Sequence, residues 1–304
     1  MSKVLGLNNY ENVAEKLSEV RRYIPVSVER GWTSKRDFIG YFNPLTKAFE
    51  ESNREVYDGL RLLDMEQKKS IAKWPFFILL DEANLSPMEY YWADFMNVCD
   101  DLSDNSSINL GNDNVFHIPE TLHFLATINN DHTTETLSPR LIDRAWVITL
   151  PRNSSIQVSQ DIPDDQIKNV TWNEIKTVFL QDESGKKSFD RETQVIYESI
   201  KEKLSKQEMY ISPRVDIAIQ KYWAIASKLM EEDEYGNSPS LVALDYAVAQ
   251  KILPKIVGSG DEYEVWLDDL KVFCNNKGLV YSAGIISSII SRGNRRMKYY
   301  QFFN

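Results

Sequence analysis

The stretch Phe76-Phe77-Ile78-Leu79-Leu80-Asp81-Glu82 constrains this chain more than any other. Five consecutive apolar residues predict a strand covered on both faces, as in the middle of a parallel sheet; a strand with one wet face would alternate instead. The run stops at two adjacent carboxylates. In open α/β sheets, ligands bind beyond the carboxyl ends of the strands, so this strand brings Asp81 and Glu82 to where a ligand is expected. The same ending also fits a strand tip that is simply solvated.

The flanking sequence predicts the rest of an α/β unit. Residues 7–22 carry Val13, Leu17 and Val20 at helical spacing, and residues 24–28 follow as a short strand. Residues 31–45, with Gly31, Gly40 and Asn43-Pro44, read as loops and turns. Residues 54–72 predict a surface helix with Val56, Leu60 and Leu63 on one face. After Glu82, Ser86 suits an N-cap, Pro87 a first helical position and Glu89 the far side of a capping box. The helix so opened runs to about residue 100, with Met88, Tyr91, Trp92, Phe95, Met96 and Cys99 as its core stripe. Residues 107–110 and 114–118 flank a Gly-Asn-Asp turn as a hairpin. Residues 122–128 predict a second buried strand, ending in Asn129. Ser138-Pro139 opens a short helix ending in Asp143-Arg144, and residues 145–150 predict a further strand stopped by Pro151. Strands alternating with helices imply right-handed crossovers and a mostly parallel sheet.

Composition shifts at Pro151. Residues 152–190 are polar and read as a linker or insertion. From residue 191 onward the pattern is helical, with starts at Ser212-Pro213 and Ser238-Pro239 and further helices over 262–274 and 280–291. Val215, Ile219, Tyr222, Ala226 and Leu229 form one predicted stripe, and Val242, Tyr246, Ala249 and Leu253 another. The expected organisation is an α/β core over 1–151, the polar stretch over 152–190 and an α-helical domain over 191–304.

The net charge of −10 argues against a chain that coats nucleic acid throughout. Two distant cysteines, Cys99 and Cys274, make neither a disulfide framework nor a metal cluster. With no apolar run fit to span a bilayer and no signal-peptide core after Met1, a cytoplasmic setting is expected. His117 and His123 fall on predicted strands and His132 in a loop. At the C-terminus, Arg292, Arg295, Arg296 and Lys298 lie beside Tyr299, Tyr300, Phe302 and Phe303. That combination fits single-stranded nucleic acid and equally a helix C-terminus with packed aromatics.

Four features stand in order: Asp81-Glu82 at one strand end, Asn129 at another, Asp143-Arg144 at the end of a short helix, and Arg214 in the first turn of a helix in the second domain. Phosphoryl transfer uses such groups, because charge developing on the transferred group needs fixed donors, often including an arginine, and the attacking water needs a polar orienter. Each also has a structural reading: a solvated strand end, a turn asparagine, an arginine paired with Asp143, a surface arginine.

In this order the residues resemble the AAA+ ATPases, and among them the McrB-like branch. Phe76–Glu82 resembles the Walker B strand, residues 125–129 the sensor strand, residues 137–144 the arginine-finger segment, and residues 211–214 the lid sensor. Asp37-Phe38-Ile39-Gly40-Tyr41-Phe42-Asn43-Pro44-Leu45 resembles that branch's Asp-Leu-Leu-Gly-Tyr-Tyr-Asn-Pro-Leu element. The resemblance implies an incomplete P-loop NTPase-type parallel sheet flanked by helices, followed by a smaller all-α lid. It implies Mg²⁺ with ATP, or GTP, with Asp81 at the metal, Glu82 and Asn129 at the water, Arg214 on the nucleotide, and Arg144 (with Arg140 as alternative) acting on a neighbour's nucleotide. It further implies a ring, usually hexameric, that remodels or translocates a partner, and a nuclease or DNA-processing partner supplied by another segment or chain.

One departure matters. The sequence holds no Gly-x-x-x-x-Gly-Lys-[Ser/Thr] phosphate loop; Gly185-Lys186-Lys187-Ser188 lacks the leading glycine and lies after the Walker B strand. The expectation is a fragment of a longer ATPase, with a P-loop-less scaffold or finger-donating subunit as the alternative. Either way, this chain is expected to hydrolyse nucleotide slowly or not at all. A missing strand is also expected to leave an open sheet edge that favours self-association.

Overall fold

The computed structural model describes residues 20–100, 106–111, 114–129, 134–150, 169–179 and 189–303. They form two compact units, one within Met1–Leu137 and Asn153–Val178, the other within Ser138–Arg152 and Phe179–Asn304. The sequence placed the first division at 151; the contacts place it at Leu137/Ser138.

The first unit is mixed α/β. Its strands and helices are β1 (Tyr23–Ser27), α1 (Lys35–Phe38), β2 (Gly40–Asn43), β3 (Ala48–Glu51), α2 (Arg54–Lys68), β4 (Phe76–Asp81), α3 (Met88–Tyr91), α4 (Ala93–Asp100), β5 (Ser107–Asn109), β6 (Val115–His117) and β7 (Leu122–Ala126). Three strands make a parallel sheet in the order β1-β4-β7, with Ile24 opposite Ile78 and Ile78 opposite Phe124. The central strand is the apolar run. Phe76, Ile78 and Leu80 point to a fully buried face, whereas Phe77 and Leu79 on the other face are half-buried. Helix α2 lies on the buried face: a Cβ at Gly59 would come within 2.8 Å of the Phe76 ring and 3.0 Å of Ile24, so glycine is needed for that approach. Phe124 continues the same face into aromatic contacts with Trp92 and Phe95, at ring-centre distances of 5.1 and 4.8 Å. At the opposite end of β1, Arg22 and Glu66 form a buried ion pair.

Several predictions of local structure change. Among residues 31–45, expected as loops, α1 is capped by a reciprocal Ser34–Asp37 box, and β2 pairs with β3 as an antiparallel hairpin. In the hairpin Glu50 accepts from the Tyr41 hydroxyl and the Asn43 amide, so the Gly-Tyr-Phe-Asn-Pro-Leu element is a hairpin arm and its turn. Ser86 does not cap a helix: its Oγ donates to Glu29 O (2.8 Å) and accepts from Trp32 N (3.1 Å). The predicted long helix divides into α3 and α4 around Trp92, whose φ/ψ of −110°/9° is non-helical. The helix expected over 7–22 lies mostly outside the described residues, and residues 20–22 are not helical. The predicted strand at 145–150 is coil: Val147 N donates to Gln250 O (3.0 Å) and Trp146 packs on Tyr222. Within the predicted linker, α6 (Trp172–Phe179) forms a regular helix after the second unit's first helix, α5 (Pro139–Arg144). Trp172 N donates to Lys73 O and its ring lies 4.5 Å from that of His123.

The second unit comprises α5, α7 (Arg191–Ser205), α8 (Pro213–Leu229), α9 (Pro239–Ala247), α10 (Asp261–Asn276) and α11 (Val280–Asn294). Ser138, Ser212 and Ser238 each cap the helix that the following proline opens. Helix α9 continues as a π turn, Val248–Ile252, and a 3₁₀ turn, Leu253–Lys255. Its buried positions are Ala243, Leu244, Ala247 and Val248, and of the predicted stripe Ala249 and Leu253 are buried, Val242 is half-buried and Tyr246 is exposed. Asp245 faces α11, where its carboxylate accepts Tyr281 N and Ser282 N, both at 2.8 Å, and caps that helix. The unit is not purely helical, since β8 (Val257–Ser259) pairs antiparallel with β9 (Tyr299–Gln301). Tyr300 is buried against Gly293, where a Cβ would meet its ring at 2.0 Å. No helix among the described residues is long and apolar enough to cross a membrane.

Candidate functional site

The carboxyl ends of β4 and β7 meet at one rim of the parallel sheet. Thr127, one residue past β7, donates from N to Leu80 O (2.9 Å) and accepts Ala83 N at its O (2.8 Å), so the two chains stay zipped beyond the strands. Its hydroxyl accepts Glu82 N (2.9 Å) and donates to Asp81 Oδ1 (2.6 Å). Asn129 then reaches across, its Nδ2 donating to Glu82 Oε1 over 2.6 Å. Asp81, Glu82 and Asn129 are thus brought together in one chain of hydrogen bonds through Thr127.

Glu82 occupies the left-handed region, φ 52° and ψ 44°. That conformation costs about 1 kcal/mol for a residue with a Cβ, and such strain persists only where neighbours over-determine it. Here the Thr127 hydroxyl fixes the Glu82 amide and Asn129 fixes its carboxylate. Asn84, buried, braces the partner: its Oδ1 accepts Asn129 N (3.1 Å), and its Nδ2 donates to Asn129 O (2.8 Å) and Glu135 O (3.2 Å). Glu135 N returns to Asn84 O (2.8 Å). Neither Thr127 nor Asn84 stood out in the sequence. Their signal was position alone, a hydroxyl two residues before Asn129 and an amide two after Glu82.

The arginines belong to the other unit. Arg144 Nη1 donates to Arg140 O, one turn back along α5, at 2.9 Å. Arg214, in the first turn of α8, lies 3.9 Å from the Asp143 carboxylate, which also accepts Lys255 Nζ (2.5 Å) and Ser212 Oγ (2.9 Å). Burial works to raise the Asp143 carboxyl, but hydrogen bonds from Lys255 and Ser212 and the charges of Lys255 and Lys251 outweigh it and hold the group below its ordinary value.

Of the histidines, His117 Nδ1 meets Asp64 Oδ1 at 2.9 Å, while burial lowers His123 to about 4 against the pull of Glu120. His132 lies outside the described residues. No cluster of three or more His, Cys, Asp or Glu side chains suited to a metal occurs among the described residues. Two of the C-terminal cations are engaged locally. Arg292 donates to Phe302 O (2.8 Å), Lys298 pairs with Asp261 and Glu264, and Tyr300 and Phe302 are buried.

Residues 166–300 match the model of a family described only as a domain of unknown function, DUF8727. The match runs from α6 through α11 and leaves β1 to β7 outside it. No curated protein matches the chain.

Proposed function

We propose that this chain is part of a nucleoside triphosphatase of the AAA+ type, close to the McrB-like branch, with the sheet unit handling metal and water and the helical unit serving as lid. The observation that carries the reading is the Asn129–Glu82 hydrogen bond beside Asp81, at the carboxyl ends of adjacent parallel strands. Glu82 is the base that takes a proton from the attacking water, and Asn129 fixes the carboxylate and the water's approach. The donor set fits Mg²⁺, which takes one or two carboxylates and fills its remaining sites with phosphate and water. The Thr127 bond uses Oδ1 of Asp81 and leaves Oδ2 for a ligand. When bound, the ion neutralises charge on the phosphates.

On this reading Arg214 contacts nucleotide from the lid, and Arg144, or Arg140, acts on the nucleotide of a neighbouring copy in a ring, most simply a hexamer. ATP is preferred to GTP only as the commoner substrate of such proteins. The motor acts in the cytoplasm on a partner such as a nuclease or another DNA-processing protein. The phosphate-binding loop is not among these 304 residues, so the chain by itself binds nucleotide weakly. Equilibrium dialysis of Mg²⁺·ATP and Mg²⁺·GTP against the full chain tests the reading: binding should weaken in Asp81→Ala, and binding unaffected by that change would sink it.

A second reading, a non-catalytic subunit that scaffolds the ring or lends an arginine to an active neighbour, is favoured by the same missing loop. No nucleotide binding, together with stimulation of a partner's hydrolysis that disappears in Arg144→Ala, would select it.

A further inference from the structure

Helix α5 has six residues, too few to stand without tertiary support. The second unit supplies that support through residues up to 112 positions away. Asp143, the penultimate residue of α5, accepts Lys255 Nζ at Oδ1 (2.5 Å) and Ser212 Oγ at Oδ2 (2.9 Å). Its main-chain oxygen accepts Lys251 Nζ at 3.0 Å, and the same ammonium donates to Ala145 O at 2.7 Å and lies 5.5 Å from the Trp146 ring centre. Lys251 is 2 % exposed. A buried ammonium is costly unless its hydrogen bonds are met, and here two carbonyls of one short segment meet them. The π turn presents Gln250 O to Val147 N and Lys251 to Asp143 in consecutive positions.

We propose that Asp143 is a positioning residue. With Lys251 and Lys255 it latches α5 to the helical unit, so that the attitude of Arg140 and Arg144 is set by that unit and not by their own short helix. The value of the latch for phosphate contact rests on the function proposed above; the latch itself does not.

Hydrogen exchange of the full chain, read by mass spectrometry without nucleotide, separates the two. Asp143→Ala and Lys255→Met should each speed exchange at Leu141, Ile142, Ala145 and Val147 by about tenfold or more, with α10 and α11 unchanged, and Lys255→Arg should restore most of the protection. Wild-type exchange over 141–147 in both variants, or equal loosening of the whole unit, would overturn the proposal. Should Asp143→Ala fail to fold, the two Lys255 variants carry the test. Failure of nucleotide binding would remove the proposed function and leave this result standing.

Discussion

Asn129 Nδ2 donates to Glu82 Oε1 over 2.6 Å, from the end of one parallel strand to the end of its neighbour. The bond joins the two side chains that the proposed chemistry needs at one water, and it exists because Asn84 and Thr127 hold both main chains in place.

Asn84 is therefore expected to be worth more than its size. Asn84→Ala removes the acceptor of the part-buried Asn129 N–H, a donor to Glu135 O and one of the two donors to Asn129 O, which costs about 1 kcal/mol. Urea unfolding of the full chain should show the loss in the transition assigned to the sheet unit. A change below about 0.5 kcal/mol, typical of a plain surface substitution, would contradict the bracing role.

The left-handed Glu82 gives a paired prediction. Glu82→Ala and Glu82→Gly both remove the carboxylate, but only glycine adopts φ 52° without a Cβ clash. The glycine variant should be the more stable by about 1 kcal/mol, measured in the same denaturant titration. Equal stabilities would mean that the backbone there is unstrained.

Burial of His123 makes the sheet unit sensitive to mild acid. Its folded value of about 4 lies below the ordinary 6.5. Between these pH values the unfolded chain binds the extra proton, so stability is complete above pH 6.5 and falls as pH drops towards 4. The full interval corresponds to about 3 kcal/mol. Stability measured against pH should lose this slope in His123→Phe; an unchanged slope would assign the acid sensitivity elsewhere.

Phosphate release should be very slow. In a malachite-green assay with Mg²⁺ and ATP, the 304-residue chain is expected to show no turnover above that of Glu82→Gln. Robust turnover abolished by Glu82→Gln would show that the chain assembles a complete site without the usual loop.

Much of this arrangement is legible in the sequence. The apolar run ending in two acids places β4 at the centre of the sheet, and the Ser-Pro pairs at 138, 212 and 238 mark three helix starts because cap and first-turn chemistry is local. What escapes is set by distant partners. Residues 145–150 are a short apolar run rich in β-branched residues, as a strand would be, yet Trp146 and Val147 are taken up by Tyr222 and Gln250 of the helical unit. Ser86 carries every local sign of an N-cap and instead ties the chain after β1 to the sheet rim. Thr127 and Asn84 gain their roles only when β4 and β7 lie side by side.

Paramagnetic broadening by Mn²⁺·ATP in the amide NMR spectrum of the full chain tests the central claim most directly. Loss of signal is expected around Asp81–Asn84 and Thr127–Asn129, and it should disappear in Asp81→Ala. Broadening spread over other acidic surfaces, or persisting at the rim without Asp81, would contradict it.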